Sequence, residues 1–151
     1  MKTHAYTCTL EWTGNTGEGT RTYRGYARDH VLRFPGKPPL PGSSDPAFRG
    51  DPARYNPEEL LVASLSACHM LWYLHLCSAH GIVVAAYTDA AEGTLAEEAD
   101  GSGQFTSVTL RPAVRISDGD PAHARQLHAE AHRLCFIARS VRFPVTVVPA
   151  P

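Results

Sequence analysis

At 151 residues the chain has room for one domain, residues 1–151, and two folded domains would fit poorly. Its 43% apolar content allows a modest core, while 14 basic against 15 acidic residues, with no basic block, argue against nucleic acid as the main partner. Met1-Lys2-Thr3-His4 leads into an alternating segment and not an apolar leader, so the four cysteines are expected in a reducing, cytoplasmic setting. There, thiols are catalytic, metal-binding or simply buried.

Tyr6, Cys8, Leu10 and Trp12 alternate with Thr7, Thr9 and Glu11, the pattern of a half-buried strand. Glycines over residues 14–19 make a turn, and residues 20–28 read as the returning strand of a hairpin. Residues 29–57 carry Pro35, Pro38, Pro39, Pro41, Pro46, Pro52 and Pro57. Such a stretch cannot be a regular helix or a central strand, and a loop of this length is functional or flexible.

Asn56-Pro57-Glu58-Glu59 is a helix start, with a cap, a proline at the first helical position and carboxylates at the positive end of the dipole. Gly81 is the natural stop, giving a helix of about 24 residues, roughly 36 Å long. Ser64, Ser66, His69 and His75 make it too polar for a good membrane span, so it reads as a core helix. Apolar residues occur on nearly all its faces, which calls for burial all round. In so small a domain an obligate homodimer would supply that burial. A strand over residues 82–88, continued in some form to residue 98, then pairs with a long strand over 104–117. Asp120-Pro121 opens a second helix running to about Leu134, and residues 144–148 close the chain as a strand. Strands, long helix, strands, helix and strand make an α+β domain.

Cys8, on the apolar side of its strand, and Cys77, among Leu74, Leu76 and Ala79, read as small buried hydrophobes. Cys68, in mid-helix, stands open between a structural and a reactive role. Eight histidines raise the question of metal. Cys68 and His75 share a helix face but lie roughly 10 Å apart, too far for one ion. His128, His132 and Cys135, at i, i+4 and i+7 of the second helix, form the better constellation, whose ordinary reading is a polar helix face. No Cys-x-x-Cys, phosphate-cradling glycine loop or Gly-x-Ser-x-Gly is present.

From Asn56 through Ala67 to Cys68 the sequence resembles the signature of the osmotically inducible protein C and organic hydroperoxide resistance superfamily: an Asn-Pro-Glu helix start, then a cysteine ten residues after the Glu. A second cysteine, Cys135, follows a second helix and precedes a last strand, as in that superfamily. The likeness in element order spans nearly the whole chain, with residue-level similarity concentrated at 56–81. It implies an antiparallel sheet with a long buried central helix, a second helix and an intertwined two-fold dimer. It also implies a thiol peroxidase for organic hydroperoxides, in which Cys68 becomes a sulfenic acid and Cys135 closes a Cys68–Cys135 disulfide. An external dithiol, such as a lipoyl group, then reduces that disulfide, and no cofactor is needed.

The chemistry needs a thiolate, which a nearby cation favours. By resemblance the cation is an arginine held by Glu58. Arg49 lies upstream at about the family spacing, and Arg54, Arg28 and Arg33 are the alternatives. Phe136 stands where peroxidase branches commonly carry proline. Met70, Leu71, Trp72 and Tyr73 beside Cys68 favour an organic hydroperoxide over hydrogen peroxide. Two other readings compete: a non-enzymatic protein that holds an apolar ligand, and a metal-binding module built on His128, His132 and Cys135.

Overall fold

A computed structural model describes all residues, Met1–Pro151. The chain divides into two compact units, Met1–Leu60 and Leu61–Pro151. In the first, β1 (Thr9–Trp12), β2 (His30–Arg33) and β3 (Leu40–Gly42) form an antiparallel sheet in that order, with Leu10 opposite Leu32 and Val31 opposite Pro41.

Three expectations fail here. The returning strand is β2, not residues 20–28. That segment is tied down by side chains in place of a ladder: Asn15 accepts from the Gly17 and Gly19 amides, Trp12 Nε1 donates to the Ala27 carbonyl, and Arg28 donates to the Tyr23 and Tyr26 carbonyls. Its one backbone bond back toward β1 runs from the Ala27 amide to the Gly14 carbonyl, 2.9 Å. A central strand does arise within 29–57, because β2 ends before Pro35. Pro41 sits on the edge strand, where a missing N–H costs least. Finally, β1 is exposed along its length and Cys8 with it, so Cys8 is not a buried hydrophobe within the chain.

The proline-rich loop is not structureless. Buried Ser43 donates to Asp29 and accepts from the Asp51 amide, and Asp45 caps a 3-10 turn at Pro46–Phe48. Asn56 and Glu59 then start α1 (Pro57–Ala79) as a reciprocal capping box, each side chain accepting from the other's amide.

In the second unit α1 ends at Gly81, whose φ of 69° lets the Ile82 amide reach back to the Cys77 carbonyl. There follow β4 (Val83–Asp89), β5 (Glu92–Glu97), β6 (Gly103–Leu110), β7 (Pro112–Asp118), α2 (Pro121–Leu134) and β8 (Val145–Val147). The expected single strand over 104–117 is two. Pro112 and the Arg111 amide, turned onto the Asp89 carboxylate, break it, and its halves join different sheets. β7 pairs antiparallel with β4. β6 pairs antiparallel with β5 and parallel with β8.

The architecture is α+β, as expected. The expected burial of α1 on every face is not found within the chain. Leu65, His69, Tyr73, Leu76 and Cys77 make one buried stripe, while Ala63, Ala67, Leu71 and His75 are exposed. By length and composition alone α1 is apolar enough to cross a bilayer, despite its serines and histidines. Its buried stripe is instead built into protein: Leu65 packs with Val108 and Leu110, and Tyr73, Leu76 and Cys77 pack with Ala124, Leu127 and Ala131 of α2. A Cβ on Gly93 of β5 would come within 2.7 Å of Val62, so the sheet also lies close against α1.

Candidate active site

Cys68 follows Leu65 by three residues and precedes Leu71 by three, which sets it at the border between the buried and exposed stripes of α1. It is half-buried and lines an apolar cavity of ≈ 560 Å³ with Ser64, Ala67, Leu71, Trp72, His75, Phe136 and Ile137. Of the polar groups in this lining, the Ser64 hydroxyl is already bonded to the Leu61 carbonyl at 2.7 Å. Trp72 meets His75 and Phe136 edge-on. Leu71 and Trp72 are thus cavity residues, whereas Tyr73 belongs to the core and Met70 lines a separate, smaller pocket.

Cys135 arrives from the other side. α2 stops there: its φ, ψ of −61°, 114° leave the helical region and carry Phe136 and Ile137 into the cavity wall. The thiol is buried, its sulfur accepts the Ala138 amide at 3.4 Å, and it lies beside Cys68. Burial, with a smaller effect of the neighbouring Cys68, pushes the Cys135 thiol up to about 11. It therefore keeps its hydrogen at neutral pH. Both cysteines are free thiols. Cys77, by contrast, is sealed in the core, where burial raises its pKa.

The remaining named residues belong to the first unit. Glu58, half-buried, takes no part in any ion pair, and on one helix it stands about 15 Å from Cys68. Arg54 is committed to Asp29 and Asp51 and donates to the His30 carbonyl. Arg28 stacks on Tyr23 and Tyr26, and Arg33 pairs with Glu11. Arg49 has no carboxylate partner and holds the chain's one positive φ outside glycine, 65°. Such strain is concentrated at functional positions.

The metal constellation does not form. No three His, Cys, Asp or Glu side chains converge, and His128 pairs with His69 and not with His132 and Cys135. That histidine pair escaped the sequence reading. The available signal was a histidine in step with Leu65 and Tyr73 on the buried stripe.

An α+β chain that carries one thiol on its long helix and a second just past its other helix has the layout of the osmotically inducible protein C class. Residues 50–149 match the family described as OsmC-like protein, and the chain belongs to that family. An OsmC-like protein of unknown function from Vibrio cholerae is 32% identical, with 98% of this chain and 100% of that one aligned at a TM-score of 0.87. Organic hydroperoxide resistance proteins share the fold: one from Legionella pneumophila at 17% identity, full coverage of both chains and a TM-score of 0.74, and one from Elizabethkingia anophelis at 21%, 99% of each chain and 0.71. No curated protein sequence matches.

Proposed function

We propose that the protein is a cysteine-based peroxidase for organic hydroperoxides. The observation that supports this most is the contact of a half-exposed thiol, set in an apolar cavity, with a buried thiol that keeps its proton. The Cys68 sulfur attacks the terminal peroxide oxygen, the O–O bond breaks, and the alcohol leaves with a proton. Cys135 then attacks the sulfenic sulfur, the S–O bond breaks, water departs, and the Cys68–Cys135 disulfide remains for an external dithiol to reduce. The Leu71, Trp72, Phe136 and Ile137 lining favours an alkyl or aryl peroxide over hydrogen peroxide. Arg49 is the cation assigned to the Cys68 thiolate, being the one of the four candidates whose guanidinium has no hydrogen-bond or carboxylate partner; it lies only over the Tyr23 ring, 6.0 Å from its centroid.

Glu58 enters this site through a homodimer. With α1 of two copies antiparallel about a two-fold axis near Ala63, Glu58 of the partner subunit falls level with Cys68. The exposed stripe of Ala63, Ala67 and Leu71 suits such a contact. The ≈ 560 Å³ apolar cavity also suits a second reading, retention of an apolar ligand without turnover. Cumene hydroperoxide with excess dithiothreitol separates the two. Sustained peroxide consumption supports the peroxidase, and its absence with ligand retained supports the binder.

A further inference from the structure

The thiols are not the only side chains that join α1 to α2. One residue past Cys68, His69 Nε2 meets His128 Nδ1 at 3.0 Å, with the rings near-parallel, 8° apart, and their centroids separated by 5.3 Å. Tyr73, one turn along α1, stacks on His128 with the ring centroids 4.0 Å apart. Both histidines are buried, at 1% and 4% exposure, and His69 Nδ1 has no partner. That orphan fixes the tautomer. If His69 Nε2 carries the hydrogen, Nδ1 is a bare lone pair; if His128 donated instead, His69 would bury an unmatched N–H, the costlier arrangement. His69 is therefore the donor and His128 the acceptor.

The bond sits where it can govern the thiols. His128 precedes Cys135 by seven residues, two turns or about 10 Å along α2, and so lies on nearly the same face. His69 adjoins Cys68. The helix that delivers Cys135 is thus held against α1 by one polar contact inside an otherwise apolar cluster. Both imidazoles are held neutral, since burial pushes each down to about 4. The charged and titratable groups around the pair are His132 and Arg125 on α2, Asp89 and Tyr87 on β4, and Tyr73 and Cys77 on α1. Only Asp89 favours a proton on His69, and it is engaged by Ser66 and the Arg111 amide.

We infer that His69 and His128 are the positioning residues of the thiol pair, their hydrogen bond keeping the Cys135 end of α2 on Cys68 so that the disulfide can close. This rests on the peroxidase reading for its biological meaning, but not for its test. The pair acts on the second step alone, in which Cys135 forms the S–S bond and its proton leaves with the hydroxyl as water. Oxygen transfer to Cys68 needs neither histidine.

The experiment compares the wild type with His128→Leu, which orphans the His69 donor, and with His69→Gln/His128→Asn, whose amides restore the same donor and acceptor without ionising. Each reduced protein receives one equivalent of cumene hydroperoxide, and mass spectrometry follows sulfenic acid and disulfide. The expected result at neutral pH is unchanged sulfenic acid formation in all three, disulfide closure slowed about tenfold in His128→Leu, and recovery in the Gln/Asn variant. Toward about pH 4 closure should fail in the wild type and persist in the Gln/Asn variant. Equal closure rates in His128→Leu and wild type overturn the inference, as does the same acid profile in wild type and Gln/Asn. Diamide, which joins vicinal thiols without peroxide, repeats the comparison: peroxide-inert protein with a pair-dependent diamide disulfide sinks the peroxidase reading and keeps the inference. Should a variant not fold, imidazole NMR of the wild type decides, because closure lost while both rings stay neutral contradicts it.

Discussion

Cys68 with Cys135 and His69 with His128 join the same two helices one residue apart on α1, yet one pair opens to an apolar cavity and the other is sealed. A single residue step turns a helical side chain by about 100°. On α1 that rotation separates a thiol at the edge of the buried stripe from an imidazole in its centre. The edge position allows a reactant to reach the sulfur. The central one removes solvent from the histidines and leaves them to hold helices together. Solvent access and burial are thus divided between neighbouring residues, and Cys135 lies between the two regimes, buried like the histidines but beside Cys68.

The strongest way to break this contrast is to remove the open thiol. Cys68→Ser should reduce peroxide consumption to background, read by a ferrous oxidation assay, with the fold unchanged by circular dichroism. Cys135→Ser should retain one stoichiometric oxygen transfer and then fail. Steady-state turnover should fall at least about tenfold as the stranded sulfenic acid over-oxidises, seen as further oxygens on Cys68 by peptide mass. Full turnover in Cys68→Ser, or a lasting stable sulfenic acid in Cys135→Ser under excess peroxide, would dissolve the division of roles.

The sealed pair makes its own demand. A histidine whose pKa is lowered on folding contributes stability that is present above its unfolded value near 6.5 and lost as pH falls toward the folded value of about 4. Together the pair contributes on the order of a few kcal/mol across that window. Thermal unfolding should therefore show a midpoint that drops between pH 6.5 and 4, and His69→Gln/His128→Asn should flatten that drop. An identical slope in both proteins would place the acid sensitivity elsewhere.

Smaller effects sharpen the edges. Arg49→Ala should slow Cys68 alkylation at neutral pH about tenfold, while Arg54→Ala, which breaks contacts to Asp29 and Asp51, should lower the melting temperature instead. The reverse outcome moves the cation to Arg54. Cys77→Ser should cost about 1–2 kcal/mol from its core site, and Cys8→Ser, on an exposed strand edge, less than about 0.5 kcal/mol, both read by urea denaturation.

What could be read from residues alone follows from how local the signals are. Both helices announce themselves through Asn56-Pro57 and Asp120-Pro121, and Gly81 ends the first; caps and breakers act within one turn. The two thiols were legible as a pair only through resemblance to a known signature. Pro112 marks the break between β6 and β7, inside a stretch whose pattern reads as one long strand. The position of β2, the parallel pairing of β8 with β6 and the His69–His128 bond depend on partners 18 to 59 residues away, which no local pattern reports. For β2 those partners are the residues of β1, with Trp12 opposite His30 and Thr9 opposite Arg33. Composition also overstated the burial of α1, because apolar residues on every face do not say which face the same chain covers.

The central claim is that Cys68 and Cys135 act together on a peroxide, and intact mass spectrometry tests it most directly. Reduced protein treated with one equivalent of cumene hydroperoxide should lose two hydrogens, and digestion without reductant should recover the linked peptides of Cys68 and Cys135. Persistence of four free thiols, or a disulfide that involves Cys8 or Cys77, would contradict it.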